Sequence, residues 1–201
     1  MMKKLLVSLV AVLMAVPTFA QFSSGGFDLS KENLYYGVRF GGTSASVSGD
    51  VSVGSKIGMT LAGIIGLRLS QSTPVFLESG LYYTQRGAKE DNIDITSNNL
   101  EIPIVVKYGF QVSDNIALLP FIGPYFAYAV SSDYDYKING VEYEGAFRPN
   151  RNNMGFKFGC GAEYNKLYLE LGYQFGVTNF ADKDGVTAHN NALFLNFGVN
   201  F

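Results

Sequence analysis

Bulky apolar residues recur at every second position through eight segments of the chain, and this alternation limits its fold more than any other feature. In KLYLELGYQFGV (166–177), Leu167, Leu169 and Leu171 fall on one face, whereas Glu170 and Gln174 fall on the other. A period of two indicates a β-strand whose two faces meet different surroundings. The eight segments lie at about 34–43, 56–70, 75–87, 98–111, 116–131, 153–164, 167–179 and 190–201. We therefore predict an all-β protein.

The first twenty residues have the three parts of a secretory signal peptide. Lys3 and Lys4 give a basic start, an apolar run covers 5–16, and Ala20 ends the segment before Gln21. The apolar run is short for a transmembrane helix, although an uncleaved anchor is the alternative. We predict a cleaved signal peptide over 1–20, a short periplasmic segment over 21–33 and a β-domain over 34–201.

The connections between the segments alternate in length. Those at 70–74, 111–115 and 163–167 are short, whereas those near 44–55, 88–97, 132–152 and 180–189 are longer and polar. Short turns at one end and long loops at the other are typical of bacterial outer-membrane barrels. We predict an eight-stranded antiparallel up-and-down transmembrane β-barrel in the outer membrane, with short periplasmic turns and longer external loops. A soluble β-sandwich is the alternative, because it would share the alternation.

The composition narrows the partners of such a barrel. The formal net charge of −2 gives no sign of nucleic-acid binding, and the single cysteine, Cys160, excludes an internal disulfide. We expect contact with outer-membrane lipid, a monomeric barrel, other envelope proteins as the candidate partners, and no cofactor or metal.

Charged residues occupy the strand positions that alternate with the apolar rows. In LEIPIVVKYGF (100–110), for example, Glu101, Pro103 and Lys107 share one face and Leu100 starts the other. An eight-stranded barrel has room inside for side chains and not for an aqueous channel, and buried charges must be paired. A catalytic carboxylate in a cleft is the competing interpretation. We predict a salt-bridged lumen formed by Arg39, Arg68, Glu78, Arg86, Glu101, Lys107, Lys157, Glu163 and Glu170.

Proline and tyrosine residues add local expectations. Pro103 removes a ladder donor, so we expect an irregularity there, and Pro120 and Pro124 suggest a bulge or bend in the fifth segment. Tyrosine rings suit the membrane interface. We expect interfacial girdles drawn from Tyr35, Tyr36, Tyr82, Tyr83, Tyr108, Tyr125, Tyr128 and Tyr173.

Two loop motifs are candidates for chemistry. His189 is the only histidine and precedes the last segment, where Ser131, Ser132 or Asp184 would have to approach it to form a hydrolytic site. DKDG (182–185) resembles the start of a calcium loop but lacks its downstream glutamate. We expect a solvated histidine, a surface turn and no catalytic residues.

The longest loop contains the best candidate contact surface. ING (138–140) predicts a hairpin turn between DYDYK and VEYEG, so the hairpin would extend the strands on both sides of it. Aromatic and acidic residues are concentrated there. The candidate contact residues are Tyr134, Tyr136, Tyr143, Asp133, Asp135, Glu142 and Glu144.

Several motifs resemble the PorT-type outer-membrane β-barrel family of Bacteroidetes. They are SGLYYTQRGAK (79–89), NLEIPIVVKYGF (99–110), PFIGPYFAY (120–128) and GCGAEYNKLYLELGYQFGVTNF (159–180). The resemblance implies an eight-stranded barrel, and the members that give the family its name act in gliding or protein secretion. It covers the domain, so a secretion role does not follow for this chain.

Three hypotheses about function remain open. The first is a non-enzymatic outer-membrane protein with a closed lumen and external loops that contact surfaces or partners. The second is a subunit of an envelope secretion or gliding machine. The third is a small outer-membrane enzyme that modifies lipid or cleaves peptides.

Overall fold

The computed structural model describes residues 34–49, 53–70, 72–90, 93–138, 141–144, 151–178 and 188–201. The predicted signal peptide, the segment 21–33 and the DKDG motif lie outside these residues. The described residues form β1 (Leu34–Gly49), β2 (Val53–Arg68), β3 (Val75–Glu90), β4 (Ile93–Tyr108), β5 (Phe110–Ser113), β6 (Ile116–Ile138), β7 (Val141–Glu144), β8 (Asn152–Tyr164), β9 (Leu167–Gly176) and β10 (Ala188–Asn200).

Eight of these strands close into an antiparallel barrel. The order is β4-β3-β2-β1-β10-β9-β8-β6, and β4 also pairs with β6, which completes the circle. The short strand β5 pairs with the start of β6, and β7 pairs with its end. The predicted eight-stranded antiparallel barrel is confirmed. No helix among the described residues is long and apolar enough to cross a membrane.

The strands are strongly staggered around the barrel. Directly paired residues can be followed from Leu34 through all eight strands, and the path returns to β1 at Ser44, ten positions further along. A stagger of this kind requires strands that are tilted by roughly 35–45° from the barrel axis. Residues distant in sequence therefore reach the same height in the lumen. The path runs through Leu67, Leu77, Val106, Ile122, Phe158, Tyr173 and Leu193.

The short turns lie at one end of the barrel, as predicted. At the other end the strands are longer, and the loops shorter, than predicted. At one end, which we call the turn end, β2–β3, β5–β6 and β8–β9 are joined by short connections, and Asn165 adopts a positive φ of 56° in the last of them. At the opposite end, the loop end, β1 and β2 run to Gly49 and from Val53, and β3 and β4 run to Glu90 and from Ile93. Much of the predicted loops 44–55 and 88–97 is therefore strand. Hydrogen bonding continues there although the apolar alternation fades.

The prolines interrupt pairing without shifting the register. The β3–β4 ladder has a gap between Ser79↔Ile104 and Tyr82↔Glu101, at Pro103, so the irregularity predicted there is confirmed. No bulge occurs at Pro120 or Pro124, because β6 pairs with β8 in continuous register past both. The β4–β6 ladder has a gap at Pro124, between Pro103↔Tyr125 and Val106↔Ile122, again without a shift of register. The side chains of Pro120 and Pro124 lie on the outer face.

The bulge in β6 lies instead at Val130. Asn98 of β4 pairs with Ser131 and Asn99 pairs with Ala129, so one residue of β6 has no counterpart. The extra residue reverses which positions of β6 face inward, because side chains alternate along a strand. Beyond the bulge, Ser132 pairs with the buried Ser97.

The two faces of the barrel wall have opposite character. Outward rows are apolar, and in β4 the residues Leu100, Ile102 and Ile104 are all exposed. Inward rows hold the polar and charged side chains, and Glu101 and Lys107 of the same strand are each 1% exposed. Large apolar residues exposed over a whole wall indicate an apolar surrounding.

Candidate functional site

The lumen holds a dense set of charged side chains. Of the nine residues predicted there, Arg68 is half-buried at the turn end, where its Nε donates to the carbonyl of Ser70 at 2.7 Å. The other eight are buried, four basic and four acidic: Arg39, Arg86, Lys107, Lys157, Glu78, Glu101, Glu163 and Glu170. Alternation along each strand brings them all inward, and the stagger of the strands groups them in three clusters.

Glu78 is the centre of the cluster nearest the turn end. Its Oε1 lies 2.7 Å from Nζ of Lys107, and its Oε2 lies 3.7 Å from Nη2 of Arg39. The hydroxyl of Tyr35 donates to the same Oε2 at 2.8 Å. Tyr168 completes the cluster, because its hydroxyl lies 2.7 Å from Nζ of Lys107 and its ring lies 3.9 Å from Cζ of Arg39. One carboxylate therefore balances two cations.

Asn200 links this cluster to Glu163. Its Oδ1 accepts from Nη2 of Arg39 at 2.6 Å, and its Nδ2 donates to Oε2 of Glu163 at 2.9 Å. Asn200 of β10 therefore connects Arg39 of β1 with Glu163 of β8. These hydrogen bonds cross the junction where the first and last strands pair.

The middle cluster is built on Lys157 and Glu170. Nζ of Lys157 lies 3.7 Å from Oε1 of Glu170, which also accepts from Nδ2 of Asn196 at 2.8 Å. The ammonium of Lys157 lies 4.3 Å from the ring centroids of both Tyr82 and Phe194. Cation–π contacts of this kind stabilise a charge that has lost its water.

The cluster nearest the loop end is built on Arg86 and Glu101. Nη2 of Arg86 pairs with Oε2 of Glu101, and it also donates to Oε1 of Gln174 at 2.7 Å. Nε2 of Gln174 donates in turn to Oε1 of Glu101, which closes a ring of three side chains from β3, β4 and β9. Tyr125 packs its ring 5.3 Å from the Arg86 guanidinium and donates to Asn153 at 3.2 Å.

Glycines provide the space that the long side chains occupy. A Cβ at Gly37 or at Gly198 would lie 2.8 Å from Nη1 of Arg39. A Cβ at Gly66 would lie 2.0 Å from the ring of Tyr35. Inward glycines and long inward side chains are therefore matched across neighbouring strands.

The tyrosines are divided between the two faces. Tyr36, Tyr108 and Tyr128 are exposed on the outer face, where a girdle was expected. Tyr35, Tyr82 and Tyr125 were among the tyrosines from which girdles were expected, but they are buried in the lumen and form no part of one. The strand period alone places Tyr35 on the face of Arg39, so its inward position could have been predicted.

Sequence reasoning also missed the neutral partners of the charges. Gln174, Asn196 and Asn200 hold the carboxylates in place, yet the predicted network contained only charged residues. The signal was present, because these amides share the inward phase of their strands.

The candidate catalytic groups are not assembled in the described residues. His189 lies within β10, not in a loop, and its backbone pairs with Ser48 while its ring stacks on Phe175 at 6.5 Å. Ser132 contacts Ser97 at 3.4 Å, and Asp184 lies outside the described residues. No group of three or more potential metal ligands occurs in the part of the chain that the structure describes.

The candidate contact residues lie on strands that extend past the barrel. β6 stops pairing with β8 at Tyr128 but continues to pair with β4 as far as Tyr136. β7 then pairs with the end of β6, from Asp135↔Glu144 to Ile138↔Val141. The hairpin predicted around 138–140 is thus present as paired strands on both sides of residues 139–140.

Comparison with known proteins gives a family and a set of similar folds. The family described as outer membrane protein beta-barrel domain matches residues 19–182. No match was found among curated proteins.

Three solved structures are among those similar to this chain. A major outer membrane protein from Thermus thermophilus is 13% identical over 85% of this chain and 100% of that chain, with a TM-score of 0.51. Neisserial surface protein A is 16% identical over 85% and 98%, with a TM-score of 0.49. Ail of Yersinia pestis is 14% identical over 85% and 100%, with a TM-score of 0.43. At these identities the likeness concerns the fold alone.

Proposed function

Because the chain belongs to the outer membrane protein beta-barrel domain family, and so is a protein of the outer membrane, we propose that it is a non-enzymatic barrel with a closed lumen. In this proposal the barrel is a rigid support. The turn end faces the periplasm and the loop end faces outward, where the extended strands contact surfaces or partners.

The packed lumen is the observation that supports a closed barrel. Clusters at three heights along the axis each join side chains from at least three strands, and their charged groups are at most 3% exposed. Water-filled pores keep their charges hydrated, whereas charges in a dry lumen must be paired and hydrogen-bonded. Most carboxylate and cationic groups here have direct partners, and the aromatic rings of Tyr82, Phe121, Tyr168 and Phe194 fill the space between them.

We predict that the purified barrel does not conduct ions. In planar bilayers the wild-type protein should give no stable single-channel steps under conditions in which an open porin conducts. Heat-modifiable migration on a denaturing gel verifies that the inserted protein is folded. A reproducible open-state conductance from folded protein would contradict the closed lumen.

A second candidate function is a subunit of an envelope machine of PorT type. The motifs at 79–89, 99–110 and 120–128 resemble that family, and the strands β4, β6 and β7 provide a sheet beyond the barrel for a partner. In this case the residues that contact the partner are those of the extended hairpin, and not those of the lumen.

Replacing residues 134–143 by a short Gly-Ser turn should separate these two functions. The deletion removes paired strand that lies past the last β6–β8 pair, so the barrel should keep its heat-modifiable migration. If the protein is a machine subunit, a stoichiometric partner should co-purify after gentle detergent extraction of the wild type and be lost from the variant. The candidate fails if no stoichiometric partner co-purifies with the wild type, and a partner that remains bound to the variant would show that the extended hairpin is not its contact.

A further inference from the structure

Glu163 differs from the other buried carboxylates of the lumen. Glu78, Glu101 and Glu170 each lie within 4 Å of a lysine or arginine nitrogen. Among the described residues, Glu163 has no such ion pair, although it is 3% exposed. Its Oε2 accepts one hydrogen bond from Asn200, and its Oε1 has no hydrogen-bond partner in the part of the chain that the structure describes.

The neighbouring cations are held by other groups. The charged groups that surround Glu163 are Arg39 on β1, Glu78 on β3 and Lys107 on β4. Lys107 contacts Glu78 and the hydroxyl of Tyr168, both at 2.7 Å. Arg39 donates to Asn200 and to the carbonyl of Val38, and it also faces Glu78. Asn200 therefore separates the guanidinium of Arg39 from the carboxyl of Glu163.

The described neighbours of Glu163 on the adjoining strands are uncharged. Glu163 pairs directly with Ala117 of β6 and with Tyr168 of β9. Both belong to the buried apolar cluster at this end of the barrel, which also contains Tyr35, Phe76 and Leu119. An ionised carboxylate that has lost its water and gained a single amide donor is much more costly than the neutral acid in the same place.

We propose that the carboxyl of Glu163 is a proton-binding site, and that it is a neutral carboxylic acid in the folded barrel at neutral pH. The proton resides on Oε1, because Oε2 already accepts the amide proton of Asn200. The proton comes from water when the chain folds, since a glutamate in the unfolded chain ionises at roughly pH 4.3. This site links pH to the stability of the turn end. It is independent of the closed lumen, which would stand if Glu163 were ionised.

Glu163→Gln should remove a pH dependence and leave the fold intact. Glutamine has the shape of the neutral acid and can still accept the hydrogen bond from Asn200. Because folding of the wild type takes up one proton, its folded-to-unfolded ratio should fall relative to that of the variant as the pH rises, by up to about ten-fold per pH unit between about pH 5 and 7. Urea titrations in detergent, followed by circular dichroism, measure this ratio. Parallel pH profiles for the two proteins would overturn the proposal.

Glu170→Gln is the matched control. Glu170 is also buried, but its carboxylate has both a cationic partner, Lys157, and an amide donor, Asn196, so we expect it to stay charged on folding. This variant should be less stable than the wild type at each pH measured, and its unfolding free energy should keep the wild-type dependence on pH. If Glu170→Gln and not Glu163→Gln removed the slope, the proton would reside elsewhere and the assignment would be wrong.

A measurement on the wild type alone keeps the proposal testable if Glu163→Gln does not fold. Infrared spectra of the folded protein, in a detergent without ester groups, should contain the carbonyl band of a protonated carboxylic acid at neutral pH. The band should shift in D2O and disappear on unfolding. A folded protein with carboxylate bands only would overturn the proposal.

Discussion

Replacing Glu101 by glutamine is expected to lower the free energy of unfolding of the barrel by about 3–5 kcal/mol. The substitution keeps the shape of the side chain and removes its charge. Arg86, which is 2% exposed, would then be buried without its anionic partner, facing only the amide oxygens of Gln174 and the new glutamine and the ring of Tyr125. Nε of Arg86 has no hydrogen-bond partner among the residues that the structure describes, so none of these residues compensates for the lost charge.

The double variant Arg86→Met with Glu101→Gln is the control for this effect. Removing both charges leaves no uncompensated ion, so most of the stability lost in the single variant should return. Because the chain contains no tryptophan, circular dichroism in a urea series is the appropriate measurement. If the loss of unfolding free energy in the double variant equalled the sum of the losses in the two single variants, the two side chains would act independently. That result would contradict the pairing.

The sequence predicts whether each strand residue faces outward or into the lumen, because the outer face is apolar and the lumen is polar and charged. In β4, a shift of one position would place Glu101 and Lys107 outside and Ile102 and Ile104 inside, and both changes are costly. The rule that alternate residues face opposite sides, which we call the parity rule, therefore assigned the inward and outward residues of whole strands correctly. The same rule was uninformative for 116–131, where both faces are apolar. There the prolines suggested a bulge or a bend, and the bulge in this segment lies at Val130 and not at a proline.

The partners within the lumen could not be predicted in this way. Arg86 and Gln174 are 88 residues apart and meet only because the stagger of the strands brings β3 and β9 to the same height. Parity says which face a residue occupies and nothing about its height or the direction of its side chain. Tyrosines were misplaced for a related reason, since a ring with one hydroxyl suits both the membrane interface and a charged lumen.

The ends of the strands also could not be predicted from the apolar alternation. At the loop end β3 and β4 pair as far as Glu90↔Ile93, although the residues there are largely polar. Outside the apolar layer both faces of a sheet can meet water, so the pattern that identifies a strand disappears while its backbone hydrogen bonds continue.

Gly198→Ala is expected to cost about 1–3 kcal/mol of unfolding free energy, or more if the backbone cannot adjust. The added Cβ would lie 2.2 Å from the carbonyl oxygen of Val38 and 2.7 Å from Cδ of Arg39. The arginine is confined by Tyr168 and Asn200, so its side chain cannot simply turn away. The strain would fall on the pairing of β1 with β10, which closes the barrel.

Gly42→Ala provides a control on the same pair of strands. Among the described residues, a Cβ at Gly42 would meet only the carbonyl oxygen of Gly58, at 3.6 Å, which is an ordinary contact. Alanine there should change the unfolding free energy by less than about 0.5 kcal/mol or raise it slightly, because it restricts the unfolded chain. Equal losses for the two variants would show that the cost comes from glycine flexibility and not from the space beside Arg39. A larger loss for Gly198→Ala would show that this glycine is required for a buried arginine to fit against the closing strands.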